Sequence, residues 1–264
     1  MYPAHQLAFK YLNYLLTAAN GKGHGIHSPF LYDFTEQLLN AKDQPEVFRR
    51  IEGLRTRLKR DKTEIPVLDL GAGSVSDNKK TRRVCDIARM AAKPPKYGRL
   101  LHRIAQHYGA KRVLELGTSL GMSSAYMASA AGVQELLTLE GAPSIMEAAE
   151  ANFKTLGLKN IRTLCGDFDQ TLPLALDMMT PDLIFFDGNH RYEPTIRYFH
   201  ACKERTGEDA IFVFDDIHWS REMEDAWAEI CRTPGVTCTI DLFFVGVVCF
   251  RSHFREPLHI GIRY

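Results

Sequence analysis

The sequence lacks any apolar run of the roughly 18 residues that a membrane-spanning helix needs. Its first residues also lack the basic-then-apolar pattern of a secretory signal peptide. The six cysteines include no Cys-x-x-Cys pair, and they are scattered, mostly within apolar stretches. This distribution excludes a structural zinc site built on paired cysteines. It indicates reduced, buried thiols, and we expect a cytoplasmic protein.

A strong net charge is missing as well, since 33 basic and 32 acidic side chains leave a formal charge of +1. No overall field would attract nucleic acid or a membrane surface, and we expect neither as a partner. The sequence also contains no internal repeat and no low-complexity tract. It does contain 264 residues with 45% hydrophobic side chains, which suit one large α/β domain with an appended segment.

The first part of the chain has helical periodicity. Ser28 followed by Pro29 is a typical helix start, because the hydroxyl can cap the helix and proline fits its first turn. Residues 47–58 repeat apolar side chains at helical spacing, with basic side chains on the other face. We therefore expect a mainly helical extension over residues 1–92 and a second domain over residues 93–264.

From residue 112 onward, short apolar strands alternate with helices. The predicted strands are 112–116, 135–139, 161–165, 182–187 and 210–215. The predicted helices are 122–131, 144–156, 169–178, 192–205 and 219–231, preceded by one over 97–108. This alternation predicts a parallel sheet with right-handed crossovers. Two last strands, 236–241 and 243–250, have no helix between them and should pair antiparallel at one sheet edge.

Each predicted parallel strand ends in acidic side chains. They are Glu115, Glu140, Asp167, Asp187 and the adjacent Asp215 and Asp216. In a doubly wound sheet, ligands bind outside the carboxyl ends of the strands. The glycine spacing after the first strand is Gly-x-x-x-Gly, whereas enzymes that bind a dinucleotide pyrophosphate use Gly-x-Gly-x-x-Gly. An acidic rim with this loop favours a nucleoside ligand that carries cationic groups.

A second glycine loop precedes this series at residues 67–74. No apolar helix and no strand with an acidic end follow it at the expected distance, so we reject it as the main cofactor loop. It can instead pack near the site as part of the extension.

The segment with His24 and His27 is open to two interpretations, a substrate lid or a glycine turn before a capped helix.

The series Glu-x-Gly-x-x-x-Gly, an acidic residue closing the next strand and Gly-Asp after the third resembles the class I S-adenosylmethionine-dependent methyltransferases. Residues 100–124 resemble the branch that contains catechol and caffeoyl-CoA O-methyltransferases, as does Asp-Gly-x-His at 187–190. The likeness covers roughly residues 95–250. It implies a Rossmann-like α/β fold whose seven-stranded sheet has the order 3-2-1-4-5-7-6, with the last strand antiparallel.

The resemblance also implies S-adenosylmethionine as the cofactor. Glu115 and the two loop glycines would shape the methionine side, Ser123 would bind the cofactor carboxylate and Glu140 the ribose hydroxyls. The full set of cofactor-binding candidates is Glu115, Gly117, Thr118, Ser119, Gly121, Ser123, Glu140, Gly141, Asp167, Phe168 and Asp187. Asp167 with Phe168 would border the adenine. The residues alone leave simpler alternatives open, namely a tight turn for the loop, a solvent-facing strand end for Glu140 and a helix cap for Asp167.

A divalent-metal site is the second implication. Metal-dependent members have Asp at the end of strand four and Asp-Asn at the end of strand five. The matching residues here are Asp187, Asp215 and Asp216, which would hold Mg²⁺ or another divalent cation. Such a cation lowers the pKa of an acceptor hydroxyl. His190 stands where catechol O-methyltransferase has a lysine base, and its ordinary pKa of about 6.5 suits proton removal.

These residues leave alternatives of their own. The three aspartates could cap helices, and His190 could simply hydrogen-bond Asp187. Trp219 could line the acceptor pocket or anchor its helix.

Together, the residues and the resemblance predict methyl transfer from S-adenosylmethionine to a small-molecule hydroxyl, catalysed with the help of Asp187 and His190. The extension over residues 1–92 would cap the acceptor side. Two alternatives stay open: a metal-independent N- or O-methyltransferase, and a degenerate domain that binds the cofactor without turnover. The expected partners are a small-molecule acceptor and, as one option, a second copy of the chain in a homodimer.

Overall fold

The computed structural model describes residues 1–21, 28–42, 45–67, 81–90, 94–251 and 256–264. Residues 68–74 of the second glycine loop, together with His24 and His27, lie outside these ranges. The chain forms two compact units. We call Asp43–Pro181 the continuous unit, and Met1–Lys42 with Asp182–Tyr264 the two-segment unit. The domain boundary expected between residues 92 and 93 stays a prediction.

In chain order, the helices of the described ranges are α1 (Ala4–Thr17), α2 (Pro29–Phe34), α3 (Glu46–Leu58), α4 (Val84–Met90), α5 (Pro95–His107), α6 (Met122–Ala128), α7 (Pro143–Leu156), α8 (Phe168–Met178), α9 (Tyr192–Lys203) and α10 (Arg221–Arg232). The strands are β1 (Glu64–Pro66), β2 (Thr81–Arg83), β3 (Arg112–Leu116), β4 (Glu135–Glu140), β5 (Ile161–Cys165), β6 (Leu183–Phe186), β7 (Ile211–Asp215), β8 (Cys238–Asp241), β9 (Val245–Cys249) and β10 (Leu258–Gly261). A π-helical turn, Thr35–Leu39, follows α2. No described helix has the length and apolarity that crossing a bilayer requires.

The continuous unit contains three parallel strands in the order β3-β4-β5. This arrangement matches the expected order for the first three strands of the sheet. The helices α3, α4 and α6 contribute apolar side chains to one core, which includes Phe48, Ile51, Leu120 and Tyr126. Burying each of these large side chains contributes roughly 1.5–3 kcal/mol. The apolar stripe predicted over residues 47–58 is therefore the packing face of α3. A separate antiparallel pair, β1-β2, completes the strands of this unit.

The two-segment unit orders its strands β6-β7-β9-β8-β10. β9 runs antiparallel to β7 and β8, as the resemblance implied for the last strand of the sheet. The strand count was wrong, because β10 adds an eighth strand to β3–β9. It pairs parallel with β8, so the β8-β9 pair does not form the edge. β10 has four residues and only half-buried or exposed side chains, and a segment this short gives no clear periodic signal.

Local capping explains where the N-terminal elements begin. The Ser28 hydroxyl accepts a hydrogen bond from the Leu31 amide at 3.5 Å, and Pro29 occupies the first turn of α2, as predicted. The end of α1 joins the other segment of its unit, because Ala19 forms a parallel bridge with Ile262 and the Tyr14 hydroxyl donates to the Ile262 carbonyl. The predicted α/β class is confirmed, with mostly parallel strands flanked by helices.

Candidate active site

The glycine loop after β3 is fastened to the end of β4. The amides of Gly117 and Thr118 both donate to the Leu139 carbonyl, at 3.0 and 3.1 Å. The Thr118 hydroxyl donates to the same carbonyl at 3.1 Å and lies 2.6 Å from the Thr138 hydroxyl. Because Thr118 is buried, its side chain supports the loop from inside.

Glu140 connects this loop with the strand end beside it. Its Oε2 accepts a hydrogen bond from the Ser119 amide at 2.9 Å, and its Oε1 accepts one from the Ala142 amide at 3.0 Å. Ser119 has a φ of 47°, a left-handed conformation that aims its amide at the carboxylate. Burial raises the pKa of Glu140, although the amides of Ala142, Ser119 and Gly141 oppose this shift. The carboxylate is half-buried and stands at the rim formed by the carboxyl ends of β3 and β4.

Glu115 lies beneath the loop. It is fully buried, and its Oε2 accepts hydrogen bonds from the hydroxyls of Thr138, at 2.7 Å, and Ser124. Burial raises its pKa to about 7, while the nearby hydroxyls of Ser123, Ser124 and Thr138 hold it down. The carboxyl group therefore links the end of β3 to α6 and β4, and its role on the methionine side of the cofactor stays a prediction.

Replacing Glu115 with glutamine should flatten the pH dependence of stability. The folded state holds this proton up to a pKa of about 7, whereas the ordinary value is 4.5. The folded protein therefore binds more protons between these values, so the wild-type free energy of unfolding falls as pH rises through them. The full loss is about 3 kcal/mol. Urea unfolding at about pH 4, below the ordinary value, and at about pH 8 measures it. Glu135→Gln is the control, and parallel profiles for wild type and Glu115→Gln would contradict the assignment.

The end of β5 supplies the last candidates of the continuous unit. Asp167 caps α8, since its Oδ1 accepts a hydrogen bond from the Asp169 amide at 2.8 Å. The helix cap, which was the alternative interpretation of Asp167, is therefore observed. A role of Asp167 beside the adenine stays a prediction. Phe168 is the first residue of α8 and is half-buried.

The last glycine of the loop after β3, Gly121, directly precedes α6 and has a φ of 78°.

The structure thus gathers the loop, Glu140 with Gly141, and Asp167 with Phe168 at the carboxyl ends of three adjacent parallel strands. A glycine loop, a carboxylate and an aromatic ring at one rim suit a nucleoside ligand. The eleventh cofactor candidate, Asp187, belongs to the two-segment unit.

A second cluster lies in the two-segment unit and consists of Asp187, His190 and Asp215. One ligand atom from each of these side chains lies within 4.8 Å of the other two, and His190 Nε2 is 3.7 Å from Asp187 Oδ1. Asp215 ends β7 with 1% exposure, and the other two are half-buried. Asp216 is not a member of this cluster; its amide donates to the Phe244 carbonyl at 2.7 Å. Two carboxylates this close repel one another, and a divalent cation fits the oxygen and imidazole donors.

Sequence reasoning missed the network around His218. The Nε2 atom of His218 lies 2.7 Å from Asp241 Oδ2, and its Nδ1 lies 3.1 Å from Glu224 Oε1. Burial lowers the pKa of His218, but the two carboxylates outweigh it and the pKa is raised. The Asp241 Oδ1 atom also accepts a hydrogen bond from the Phe243 amide at 2.7 Å. Nothing in the local motif Asp-Asp-Ile-His-Trp indicates these partners, because Asp241 comes from another strand.

The start of α1 reaches the same region of the two-segment unit. The Tyr2 amide donates to the Trp219 carbonyl at 2.9 Å, and the Tyr2 hydroxyl donates to Glu224 Oε2 at 2.6 Å. Lys10 forms an ion pair with Glu224 at 2.9 Å. The indole of Trp219 is half-buried, and its place in an acceptor pocket stays a prediction.

Comparisons with known proteins agree with this arrangement. Residues 114–217 match the family described as a methyltransferase domain. A catechol O-methyltransferase from Mycobacterium tuberculosis is 31% identical over 122 residues, which are 46% of this chain and 54% of that protein. The chain spans about half the length of the curated relatives it matches.

Solved structures share the fold. A methyltransferase from Podospora anserina, bound to S-adenosylhomocysteine, has a TM-score of 0.59 at 15% identity and covers 96% of this chain and 98% of its own. An O-methyltransferase from Bacillus cereus in complex with S-adenosylhomocysteine has a TM-score of 0.55 at 16% identity, covering 79% and 92%. These structures confirm the predicted fold. The family match over residues 114–217 and the catechol O-methyltransferase relatives confirm the resemblance read from the motifs.

Proposed function

We propose that this chain, which resembles the class I methyltransferases and matches their domain over residues 114–217, transfers a methyl group from S-adenosylmethionine to an oxygen of a small molecule. The observation that carries the proposal is the hydrogen bond from the Ser119 amide to Glu140 Oε2, at 2.9 Å. It joins the glycine loop to the acidic strand end, the two parts that a nucleoside cofactor with a ribose requires.

The residues of the continuous unit would divide the cofactor between them. Glu140 would accept hydrogen bonds from the ribose hydroxyls, while the loop from Gly117 to Gly121 would border the methionine part. Asp167 and Phe168 would border the adenine. Glu115, which is buried, would act as a positioning residue that holds the ends of the loop through its bonds to Ser124 and Thr138. Holding the cofactor methyl group in a fixed position supplies much of the rate of such a displacement.

Asp187 and Asp215 would hold a divalent cation, which would lower the pKa of an acceptor hydroxyl from about 10, the value of a phenol. His190 lies in the same cluster, where its imidazole can take a proton or bind the cation. Two of the curated relatives, matched over 122 and 127 residues, are catechol O-methyltransferases, so aromatic vicinal diols are the first acceptors to test. A chelating diol would also match a cation that keeps open coordination positions.

Calorimetry with S-adenosylmethionine and S-adenosylhomocysteine tests the first half of the proposal. We expect both ligands to bind, and no binding at high micromolar concentration would overturn the proposal. Transfer of a labelled methyl group to a panel of catechols and other hydroxyl compounds, with and without a chelator, tests the second half. Transfer that a chelator does not affect would indicate the metal-independent alternative. Binding without transfer to any acceptor would favour the degenerate cofactor-binding domain.

A further inference from the structure

The cluster of Asp187, His190 and Asp215 contains one nitrogen and two oxygen donors. The donor atoms lie within 4.8 Å of one another, a spacing that lets three side chains share one ion. The family resemblance implied Asp216 as the third ligand, which would give three oxygen donors. In the described part of the chain, however, it is His190 that joins the two aspartates.

Two backbone turns decide which side chains meet. Asn189 has a φ of 53°, and the Arg191 amide donates to its carbonyl at 2.6 Å. This tight turn returns His190 toward Asp187, three residues earlier, so that Nε2 lies 3.7 Å from Oδ1. Asp216 also has a left-handed φ, of 55°, and its amide is bonded to the Phe244 carbonyl. Backbone hydrogen bonds hold both turns, so the fold itself brings His190, and not Asp216, next to the two aspartates.

The registry of the strands supports the same grouping. β6 and β7 are parallel neighbours, with Phe186 opposite Phe214. Asp187 and Asp215 each follow by one residue, so the pair stands at adjacent strand ends. Asp215 is almost completely buried, and a buried carboxylate is stabilised by a nearby positive charge. His190 and Asp187 are half-buried, so two of the three donor side chains are partly exposed to solvent.

We propose that His190 is a metal ligand, and that this site takes a first-row transition ion such as Co²⁺, Mn²⁺ or Zn²⁺ in preference to Mg²⁺. The inference rests on the metal assistance in the proposed function and deepens it. Mg²⁺ is a hard cation that is bound mainly by oxygen atoms and water, whereas imidazole nitrogen suits transition ions. A ligating Nε2 cannot also accept a proton, so this role replaces the general-base role assigned to His190 from the sequence.

Metal binding to the full chain, prepared without a polyhistidine tag and stripped with a chelator, tests the proposal. Calorimetry would compare Co²⁺, Mn²⁺ and Mg²⁺ for wild type, His190→Ala and His190→Asp. We expect His190→Ala to lower Co²⁺ affinity by at least about tenfold and to leave Mg²⁺ affinity nearly unchanged. His190→Asp should narrow the preference for Co²⁺ over Mg²⁺, because it restores an all-oxygen set. His200→Ala, an exposed histidine on α9, is the matched control.

Spectroscopy provides a readout that does not depend on turnover. Nitrogen ligation should appear in the visible spectrum of the Co²⁺ protein and as nitrogen coupling in the electron paramagnetic resonance of bound Mn²⁺. Both signatures should disappear in His190→Ala and persist in His200→Ala. Unchanged Co²⁺ affinity in His190→Ala, or tighter binding of Mg²⁺ than of Co²⁺ by wild type, would overturn the inference and leave the proposed function standing. A wild-type protein that binds S-adenosylhomocysteine but no divalent ion would overturn both the inference and metal assistance.

Discussion

Replacing Gly121 with alanine is expected to destabilise the continuous unit by about 2–5 kcal/mol, the sum of two separate costs. Gly121 has a φ of 78°, and a left-handed conformation costs an L-residue about 1–2 kcal/mol. An added Cβ would also overlap the ring of Phe153, and overpacking a buried site costs roughly 1–3 kcal/mol. Urea unfolding measures the loss, and calorimetry should show weaker binding of S-adenosylhomocysteine.

Gly109 offers a matched control for this substitution. It has a φ of 65° but no atom within 4 Å of the position that a Cβ would take. Gly109→Ala should therefore lose only the conformational part, about 1–2 kcal/mol. In a double-mutant cycle, Phe153→Ala should recover the steric part of the Gly121→Ala loss. Equal losses for the two glycine variants would show that the contact with Phe153 does not matter.

Glu140→Ala should lower the affinity for S-adenosylhomocysteine by roughly 100-fold, equivalent to about 2.7 kcal/mol. In the proposed complex, the variant loses charged hydrogen bonds to the ribose, each of which contributes about 1.5–3 kcal/mol. It also removes the acceptor of the Ser119 amide and so loosens the glycine loop. Calorimetry at one temperature and ionic strength measures the change.

Glu135 lies at the opposite end of the same strand and serves as the control. It forms an ion pair with Arg162 at 2.8 Å, away from the carboxyl end of β4. Glu135→Ala should leave the affinity for S-adenosylhomocysteine unaltered. Glu140→Gln, which keeps the shape and one acceptor, should fall between wild type and Glu140→Ala. If Glu140→Ala bound as tightly as wild type, the ribose role of this residue would be refuted.

The succession of strands and helices could be predicted because its signals are local, whereas the order of the strands in the sheet was implied by the resemblance. Each of the strands β3–β7 is a short apolar run bounded by a turn, and alternation with helices fixes parallel pairing. The absence of a helix between β8 and β9 correctly indicated an antiparallel pair. β10 escaped prediction because four residues at a sheet edge bury too little apolar surface to leave a pattern.

The candidate site was predictable to the extent that it depends on strand ends. Position along the chain placed Glu140, Asp187 and Asp215 at carboxyl ends, since parallel strands meet there at one rim. The burial of Glu115 and the inward direction of Thr118 depend on packing against Thr138, which no spacing reveals. The contact of His218 with Asp241 likewise depends on the β8-β9 turn. Whether His190 or Asp216 joins the metal-ligand cluster depends on the left-handed conformations of Asn189 and Asp216.

The division of one unit into two chain segments has a consequence for biosynthesis. During translation, residues 1–42 emerge long before residues 182–264, with which they form one unit. All strands and helices of the continuous unit, Asp43–Pro181, are synthesised before residues 182–264, so this unit can fold during translation. The apolar side of α1 can be buried only after Phe243 and Ile262, its contacts near the end of the chain, have been synthesised. If translation of the last segment is slow, the apolar side of α1 stays exposed for longer and can bind chaperones. Deletion of α1 should leave the folding of the continuous unit unchanged.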